Sequence, residues 1–155
     1  MTKPRVCILV TDGINCDGET LDAFCLVGGQ CQIVHMNQLI ANPRLLMEFQ
    51  VLVIPGGFSY GDDIASGKIL ALLLIKFLGE QLQEFVDSGR VIIGICNGFQ
   101  ALVRMGLLPF LTLGKMHSTL TTNVRGSFIC RWANVMVEPN LFTAGLEALN
   151  YETLY

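Results

Sequence analysis

A cysteine stands between two glycines at the end of an apolar run, in the segment VIIGICNGFQ at residues 91–100. The spacing of Gly94, Cys96 and Gly98 has the form of the G-x-S-x-G nucleophile elbow, with sulfur replacing oxygen. In such an elbow a strand stops, a helix begins at once, and the flanking glycines avoid collisions with neighbouring backbone. The pattern is typical of nucleophilic catalysis. The alternative is a small apolar cysteine in a strand-to-helix turn.

A second glycine-rich turn, PGGFSYGDD at residues 55–63, follows another apolar run. In an open α/β sheet, ligands bind at the carboxyl ends of the strands. If the two strands are neighbours, the two turns face each other across one crevice. Backbone N–H groups of a Gly-Gly turn can then stabilise an oxyanion, each donor being worth about 3–4 kcal/mol. PGG alone also fits an ordinary tight turn, whereas the two turns together favour an acyl-transfer site.

Strands and helices alternate along the first two-thirds of the chain. This alternation predicts an α/β fold, with an open, mostly parallel sheet flanked by helices on both faces. The predicted strands are 5–11, 31–36, 50–55 and 90–95, and the predicted helices are 20–29, a short one around 42–49, about 64–87 and 97–109.

The pattern changes from about residue 117. STLTTN at 118–123 and SFICRWANVMVE at 127–138 predict longer strands of an antiparallel type, with Trp132 midway along the second. The last segment, 141–155, has no clear stop signal. With no internal repeat and no linker, residues 1–155 are predicted to form a single domain.

The composition excludes several function classes. Apolar residues make up 52% of the chain and charged residues 15%, but the longest apolar run, 69–78, holds Lys76 and is shorter than the roughly 18 residues that a membrane span needs. The excess apolar surface fits strands buried on both faces, together with a permanent partner interface. The net charge of −3, without a Lys/Arg cluster, argues against nucleic-acid binding.

The cysteines and acidic pairs do not predict a metal site. None of the six cysteines forms a CxxC pair. Because no secretory signal opens the chain, we expect reduced thiols and a cytoplasmic protein. Asp62 and Asp63 could bind a metal, but paired acids in a glycine-flanked loop more often cap the next helix.

Four segments together carry a family resemblance: NCDGET at 15–20, PGGFSYGDDIASGKILA at 55–71, GICNGFQALVRMGLLP at 94–109 and FICRW at 128–132. They resemble the glutaminase subunit of phosphoribosylformylglycinamidine synthase, a class I, triad-type glutamine amidotransferase of purine biosynthesis. The similarity covers essentially the whole chain, and its form looks like the free-standing small subunit. It implies a class I amidotransferase fold with flavodoxin-like layering.

The resemblance implies a role for each matching residue. Cys96 would attack the side-chain amide of L-glutamine, forming a γ-glutamyl thioester and releasing ammonia, and the helix that follows would favour the thiolate. The oxyanion would lie between the backbone N–H groups of Gly57 and Asn97. Gln100 would help to bind the substrate, and Phe58 would lie by the same pocket.

A later segment matches the part of the family that holds the α-amino and carboxylate groups of glutamine. Its residues are Asn123, Gly126 and Phe128. A plain turn before a strand is the alternative interpretation of this segment.

The resemblance also implies partners. Ammonia would pass to a large ATP-dependent synthetase subunit that makes formylglycinamidine ribonucleotide, and a further small subunit is expected in the complex. The chain has no G-x-x-x-x-G-K-[ST] loop, so no cofactor is expected on it, and ATP and magnesium would belong to the partner.

The match fails at the catalytic base. The family triad needs a His and a Glu in an A-H-G-E-G-like stretch, which we expect just beyond Tyr155. His35 is expected to serve core packing or a turn hydrogen bond. His117 could lie near the crevice but is not expected to be the base, whose loss typically costs about 10²–10⁴ in rate.

Two other functions compete with the glutaminase. One is a truncated, inactive homologue that only docks on the synthetase. The other is a different cysteine enzyme, such as a PfpI-like peptidase or deglycase, although Gln100 and FSYGDD at 58–63 have no evident use there.

Overall fold

The computed structural model describes residues 3–133, and within them four strands form one parallel sheet. The strand order is β2-β1-β3-β4, which confirms the predicted parallel α/β fold. The strands are β1 (Arg5–Val10), β2 (Gln30–His35), β3 (Val51–Ile54) and β4 (Val91–Gly94), and the helices are α1 (Asp17–Leu26), α2 (Met36–Ala41), α3 (Lys68–Asp87) and α4 (Asn97–Met105), with 3-10 turns at Pro43–Glu48 and Ser59–Asp62.

Helices cover both faces of the sheet. Alternate residues of a strand point to opposite faces, so each strand contributes side chains to the core on either side. On one face, residues such as Cys7 and Ile54 join the buried side chains of α2, α3 and α4 in the main core. On the other face, Ile8 and Val53 pack with Phe24 of α1. The two central strands, β1 and β3, consist almost wholly of buried apolar residues, as expected for strands covered on both faces.

The sheet has a switch point between β1 and β3. The chain moves from β1 to β2 on one side and later returns to add β3 on the other side of β1. In open sheets of this topology, ligands bind beyond the carboxyl ends of the strands, near the switch point. The candidate site lies at this edge.

Two predicted helices differ from the structure. The short helix around 42–49 is a 3-10 turn, and α2, at Met36–Ala41, was not predicted. The predicted helix from about residue 64 begins only at Lys68, because Gly67 adopts a left-handed φ of 69°. The backbone N–H of Gly67 donates to the carboxylate of Asp62, and the Lys68 N–H donates to the Ala65 carbonyl, so a side chain and one backbone bond together stabilise the turn before α3.

The contacts between residues divide the chain into two units after Leu120. The single-domain assignment therefore stays a prediction. In residues 118–133 no strand forms, so the predicted strand at 118–123 is wrong, and the second one does not form over 127–133. These residues are exposed, Trp132 included, and a strand needs a partner for its backbone groups. The rest of that strand, and the segment 141–155, lie outside the described residues.

The long helix α3 supplies much of the core. Its buried residues recur at helical spacing and face the sheet, whereas Leu72 is 55% exposed. The buried positions of α3 are Leu70, Ala71, Leu74, Leu78, Leu82 and Phe85.

Among the helices of residues 3–133, none is long and apolar enough to cross a membrane.

Candidate active site

The two glycine-bearing turns leave the sheet side by side. β3 pairs with β4, and the last pair in register is Ile54 with Gly94. This confirms that the two strands are neighbours. A Cβ placed on Gly56 would lie only 3.3 Å from the Cβ of Cys96. The Gly-Gly turn therefore lies directly against the cysteine.

Cys96 occupies the elbow between β4 and α4. It has a φ of 51° and a ψ of −107°, unusual for a residue with a side chain, and its thiol is exposed. A Cβ on Gly94 would come within 2.7 Å of the carbonyl oxygen of Gly98, and a Cβ on Gly98 would overlap the carbonyl oxygen of Ile54. Both glycines of the motif are thus required by close backbone packing, as the sequence predicts.

The backbone N–H groups of Gly57 and Asn97, the two predicted oxyanion donors, have no hydrogen-bond acceptor within residues 3–133, and neither do those of Gly56 and Cys96. Gly57 has a φ of 133°, and a Cβ there would come within 2.7 Å of the Gly13 carbonyl oxygen and 2.8 Å of the Asn15 nitrogen. Only glycine fits this position.

The loop after β1 holds the Gly-Gly turn in place. The Phe58 N–H donates to the Gly13 carbonyl at 2.7 Å, and the Tyr60 N–H donates to the Asp12 carbonyl at 2.8 Å. The hydroxyls of Thr11 and Tyr60 share a further hydrogen bond. These bonds fix the segment after β3 against β1, so the sequence NCDGET and the turn PGGFSYGDD belong to one edge of the sheet.

The side chain of Asn97 is the buried polar centre of the site, with 1% of its surface exposed. Its Oδ1 accepts from the Ser59 hydroxyl at 2.5 Å, and its Nδ2 donates to Asp62 Oδ1 at 3.0 Å and to Gln100 Oε1 at 3.3 Å. The sequence interpretation assigned a role only to the backbone of Asn97. It missed Ser59 as a partner, although S and D in FSYGDD are the residue types that could reach a buried amide.

Two further predicted substrate residues lie near the elbow. Gln100 is on the first turn of α4, half-buried, with its side-chain oxygen turned to Asn97. Phe58 follows the Gly-Gly turn and is 64% exposed. An exposed aromatic ring next to Gly57 is consistent with the predicted contact to a ligand, and that contact remains a prediction.

Asn123, Gly126 and Phe128 belong to the second unit, Thr121–Tyr155. Asn123 and Gly126 form a turn, in which the Gly126 N–H donates to the Asn123 carbonyl at 2.8 Å. Phe128 is 91% exposed. All three line one open depression with Thr121, Thr122 and Ser127. Their predicted role toward glutamine stays a prediction.

The two histidines have other partners. The Nδ1 of His35 accepts from the Asn37 N–H at 3.1 Å and caps α2, in agreement with the turn hydrogen bond that the sequence predicts. The ring of His117 packs edge-on against Phe110, with the ring centroids 5.2 Å apart. Neither arrangement identifies a general base for Cys96.

The acidic pair after the Gly-Gly turn serves the start of α3. Asp62 accepts from the Ser66 hydroxyl and the Gly67 N–H in the turn before α3, but no side chain caps the first turn of that helix, so the predicted capping role is wrong. Asp63 is exposed. Within residues 3–133 no three His, Cys, Asp or Glu side chains come together as a metal site.

The thiols of the described residues are all free, and they differ in environment. Burial raises the pKa of Cys7 to about 12. Burial, together with the neighbouring Cys25, raises the pKa of Cys31 to about 11. Cys16 is exposed, and its Sγ lies 3.8 Å from the point where a Cβ on Gly56 would sit. Cys16 is thus a second thiol at the same sheet edge, which the sequence interpretation did not identify.

A parallel α/β sheet with a cysteine elbow opposite a Gly-Gly turn is an architecture suited to acyl transfer from an amide. Residues 3–152 match the CobB/CobQ-like glutamine amidotransferase domain, and the chain belongs to this family. The resemblance to a glutamine amidotransferase, stated from the four sequence motifs, is therefore confirmed.

The similar proteins are more specific. The chain is 47% identical over 152 residues to "Phosphoribosylformylglycinamidine synthase subunit PurQ" of Dehalococcoides mccartyi. The matched region covers 96% of this chain and 60% of the relative. It is 40% identical to the protein of the same name from Methanococcus maripaludis strain C5, covering 92% of this chain and 55% of the relative.

A solved structure is similar as well. A chain of "Structure of PurLQS from Thermotoga maritima" superposes with a TM-score of 0.69 at 33% identity, covering 90% of this chain and 57% of that chain. The present chain thus spans roughly 55 to 60% of the length of these relatives.

Proposed function

We propose that this chain is the glutamine-hydrolysing component of a phosphoribosylformylglycinamidine synthase, with Cys96 as the nucleophile. The observation that carries the proposal is the position of Cys96: an exposed thiol on a strained elbow, against the Gly56-Gly57 turn. The names of the relatives support the reaction and the pathway.

The chemistry follows from this arrangement. The sulfur of Cys96 forms a bond to the side-chain carbonyl carbon of L-glutamine, and the electron pair moves to the amide oxygen. The N–H groups of Gly57 and Asn97 stabilise that oxyanion. The C–N bond then breaks, the nitrogen takes up a proton and ammonia leaves, which yields the γ-glutamyl thioester. Water attacks the thioester and releases glutamate and the thiol.

Five residues are proposed to bind the substrate. Gln100 lies on the first turn of α4, and Phe58 follows the Gly-Gly turn that lies against Cys96. These positions support contact with the glutamine side chain. Asn123, Gly126 and Phe128 are proposed to hold the α-amino and carboxylate groups. The family resemblance and their shared depression support this assignment.

The general base is not assigned to either histidine of the chain. His35 caps α2, and His117 packs against Phe110. We assign the base to the His–Glu stretch of the family pattern, which the 155 residues do not contain. Full activity of this chain therefore depends on that pair being supplied.

The proposed partner is the large ATP-dependent synthetase subunit, with a further small subunit in the complex. Ammonia made at Cys96 would be consumed there, and ATP and magnesium would be bound by the synthetase. The similar Thermotoga maritima structure, which is described as PurLQS, supports an assembly of this kind. The proposed location is the cytoplasm.

Labelling by a glutamine-like chloroketone tests the nucleophile. The chain should be alkylated once, and Cys96→Ala should abolish the label. Cys16→Ala is the matched control, because it removes the other exposed thiol at the same sheet edge, and it should leave the label in place. A label that persists in Cys96→Ala would show that the nucleophile is another residue.

Ammonia release distinguishes the enzyme from a docking protein. Release from glutamine is measured with and without the synthetase, and Cys96→Ala is the control. Release that depends on Cys96 supports the glutaminase. Binding to the synthetase without release, even from a chain that is labelled at Cys96, favours the inactive docking homologue.

A further inference from the structure

We infer that Asp62 is a positioning residue for the glutamine site, acting through the side chain of Asn97. The inference rests on the proposed function. Asp62 follows the Gly-Gly turn after β3, whereas Asn97 begins α4 after β4. Their hydrogen bond joins the two turns that form the site.

The orientation of the Asn97 amide is determined by its neighbours. On one side, the Ser59 hydroxyl and N–H approach Oδ1, at 2.5 and 3.4 Å. On the other side, Nδ2 faces the carboxylate of Asp62, at 3.0 Å. A reversed amide would place its oxygen against a carboxylate in a buried position, which is costly. Asp62 therefore selects one orientation of Asn97.

Asp62 is itself held firmly. Its Oδ2 accepts from the Ser66 hydroxyl at 3.0 Å, and its Oδ1 also accepts from the Gly67 N–H at 3.3 Å. Its φ of 54° is in the left-handed region, where a side-chain residue typically costs about 1–3 kcal/mol. Such a conformation persists only where surrounding contacts stabilise it. Here the hydrogen bonds from Ser66 and Gly67 hold the carboxylate in place beside Asn97.

The same amide orients Gln100. Because Nδ2 of Asn97 donates to Oε1 of Gln100 at 3.3 Å, the oxygen of Gln100 is turned inward. Its Nε2 then remains available as a donor toward a ligand. Asp62 thus acts on two parts of the site at once: the backbone N–H at the start of α4 and the side chain of Gln100.

Asp63 supplies a matched control. It is the next residue in the same loop and carries the same charge, but it is exposed, and within residues 3–133 its carboxylate accepts no hydrogen bond. Asp62→Asn keeps the size of the side chain but removes its charge. Its single amide oxygen can replace only one of the two carboxylate oxygens, so either Asn97 or Ser66 faces an NH₂ group in place of an acceptor. Asp63→Asn makes the same chemical change without touching Asn97.

The test compares two alkylating reagents on the full chain. In Asp62→Asn, the second-order rate of labelling of Cys96 by the glutamine-like chloroketone should fall about tenfold, the value of one hydrogen bond to a charged group. Iodoacetamide needs no glutamine pocket, so its rate should stay within about twofold. Asp63→Asn should match the wild type with both reagents. Equal chloroketone rates in Asp62→Asn and wild type would overturn the inference. So would equal changes for both reagents with a much lower Tm, because that result means local unfolding.

NMR spectroscopy tests the hydrogen bonding of Asn97 without any labelling reaction. In Asp62→Asn, the side-chain NH₂ and backbone amide signals of Asn97 should shift and their hydrogen exchange should accelerate, with Asp63→Asn unchanged. Unaltered signals in Asp62→Asn overturn the inference. If the wild type is not labelled by the chloroketone while these signals still respond, the proposed function fails, and the control of Asn97 by Asp62 stands.

Discussion

Gly98 lies directly against the carbonyl oxygen of Ile54, so close that a Cβ on residue 98 would overlap that oxygen. The contact brings the first turn of α4 onto the end of β3. It places the helix N-terminus, and with it the elbow residue Cys96, beside the Gly-Gly turn. The second glycine of the motif is therefore a packing requirement of the site.

Gly98→Ala should destabilise the protein and displace the elbow. A methyl group in this contact must push the helix or the strand aside, which typically lowers the free energy of unfolding by about 1–3 kcal/mol. Gly18→Ala is the control, because Gly18 is also the second residue of a helix and has no atom within 4 Å of its would-be Cβ. It should leave the free energy of unfolding unchanged or raise it by up to about 1 kcal/mol. Urea unfolding measures both, and equal effects would contradict the contact.

Gly56→Ala should slow the labelling of Cys96 and leave the free energy of unfolding nearly unchanged. Its Cβ would lie 3.3 Å from the Cβ of Cys96, tight but tolerable, and its φ is not left-handed. We expect a change in the free energy of unfolding below about 1 kcal/mol. The added methyl narrows the space where the substrate carbonyl must approach the sulfur, so labelling by the chloroketone should slow at least about tenfold. Labelling at the wild-type rate would show that the substrate does not enter beside Gly56.

Leu74 and Leu72 provide a paired test of the core. Both lie on α3, but Leu74 is fully buried and Leu72 is 55% exposed. Leu74→Ala removes apolar burial and leaves a cavity, which should lower the free energy of unfolding by about 2–5 kcal/mol. Leu72→Ala should change it by less than about 1 kcal/mol. Chemical unfolding of the two variants checks the face of α3, and a larger loss at Leu72 would mean that another surface covers it.

The buried thiol of Cys7 should make stability depend on alkaline pH. Its pKa in the folded chain is raised from its ordinary value near 9 to about 12, because burial disfavours the thiolate. Below pH 9 the thiol is protonated in both states and its contribution is fully present. Between pH about 9 and 12 only the unfolded chain loses the proton, so the free energy of unfolding falls by up to about 1.4 kcal/mol per pH unit.

Cys7→Val provides the comparison for this pH dependence, since it fills the site without a titratable proton. Urea unfolding at pH about 8 and about 10 should show a smaller loss of stability in Cys7→Val than in the wild type. Parallel pH profiles in the two proteins would mean that Cys7 ionises alike in the folded and unfolded states.

The sequence alone determined the parts of the protein that depend on local pattern. Apolar runs with turn residues at their ends predicted the four strands, and the spacing of Gly94, Cys96 and Gly98 predicted the elbow. Strained turns and tight backbone contacts accept few residue types, so glycine at such positions is informative without a structure. The motif resemblance identified the family for the same reason.

Tertiary structure decided what depends on partners distant in the chain. The pairing of Ile54 with Gly94 brought the two turns together, and the buried side chain of Asn97 selected Ser59 and Asp62 as its partners. It also decided against a strand at 118–123, since a segment forms a strand only where another strand satisfies its backbone groups. Hydrogen bonds of this kind join residues that no spacing in the sequence connects, and only the folded chain shows them.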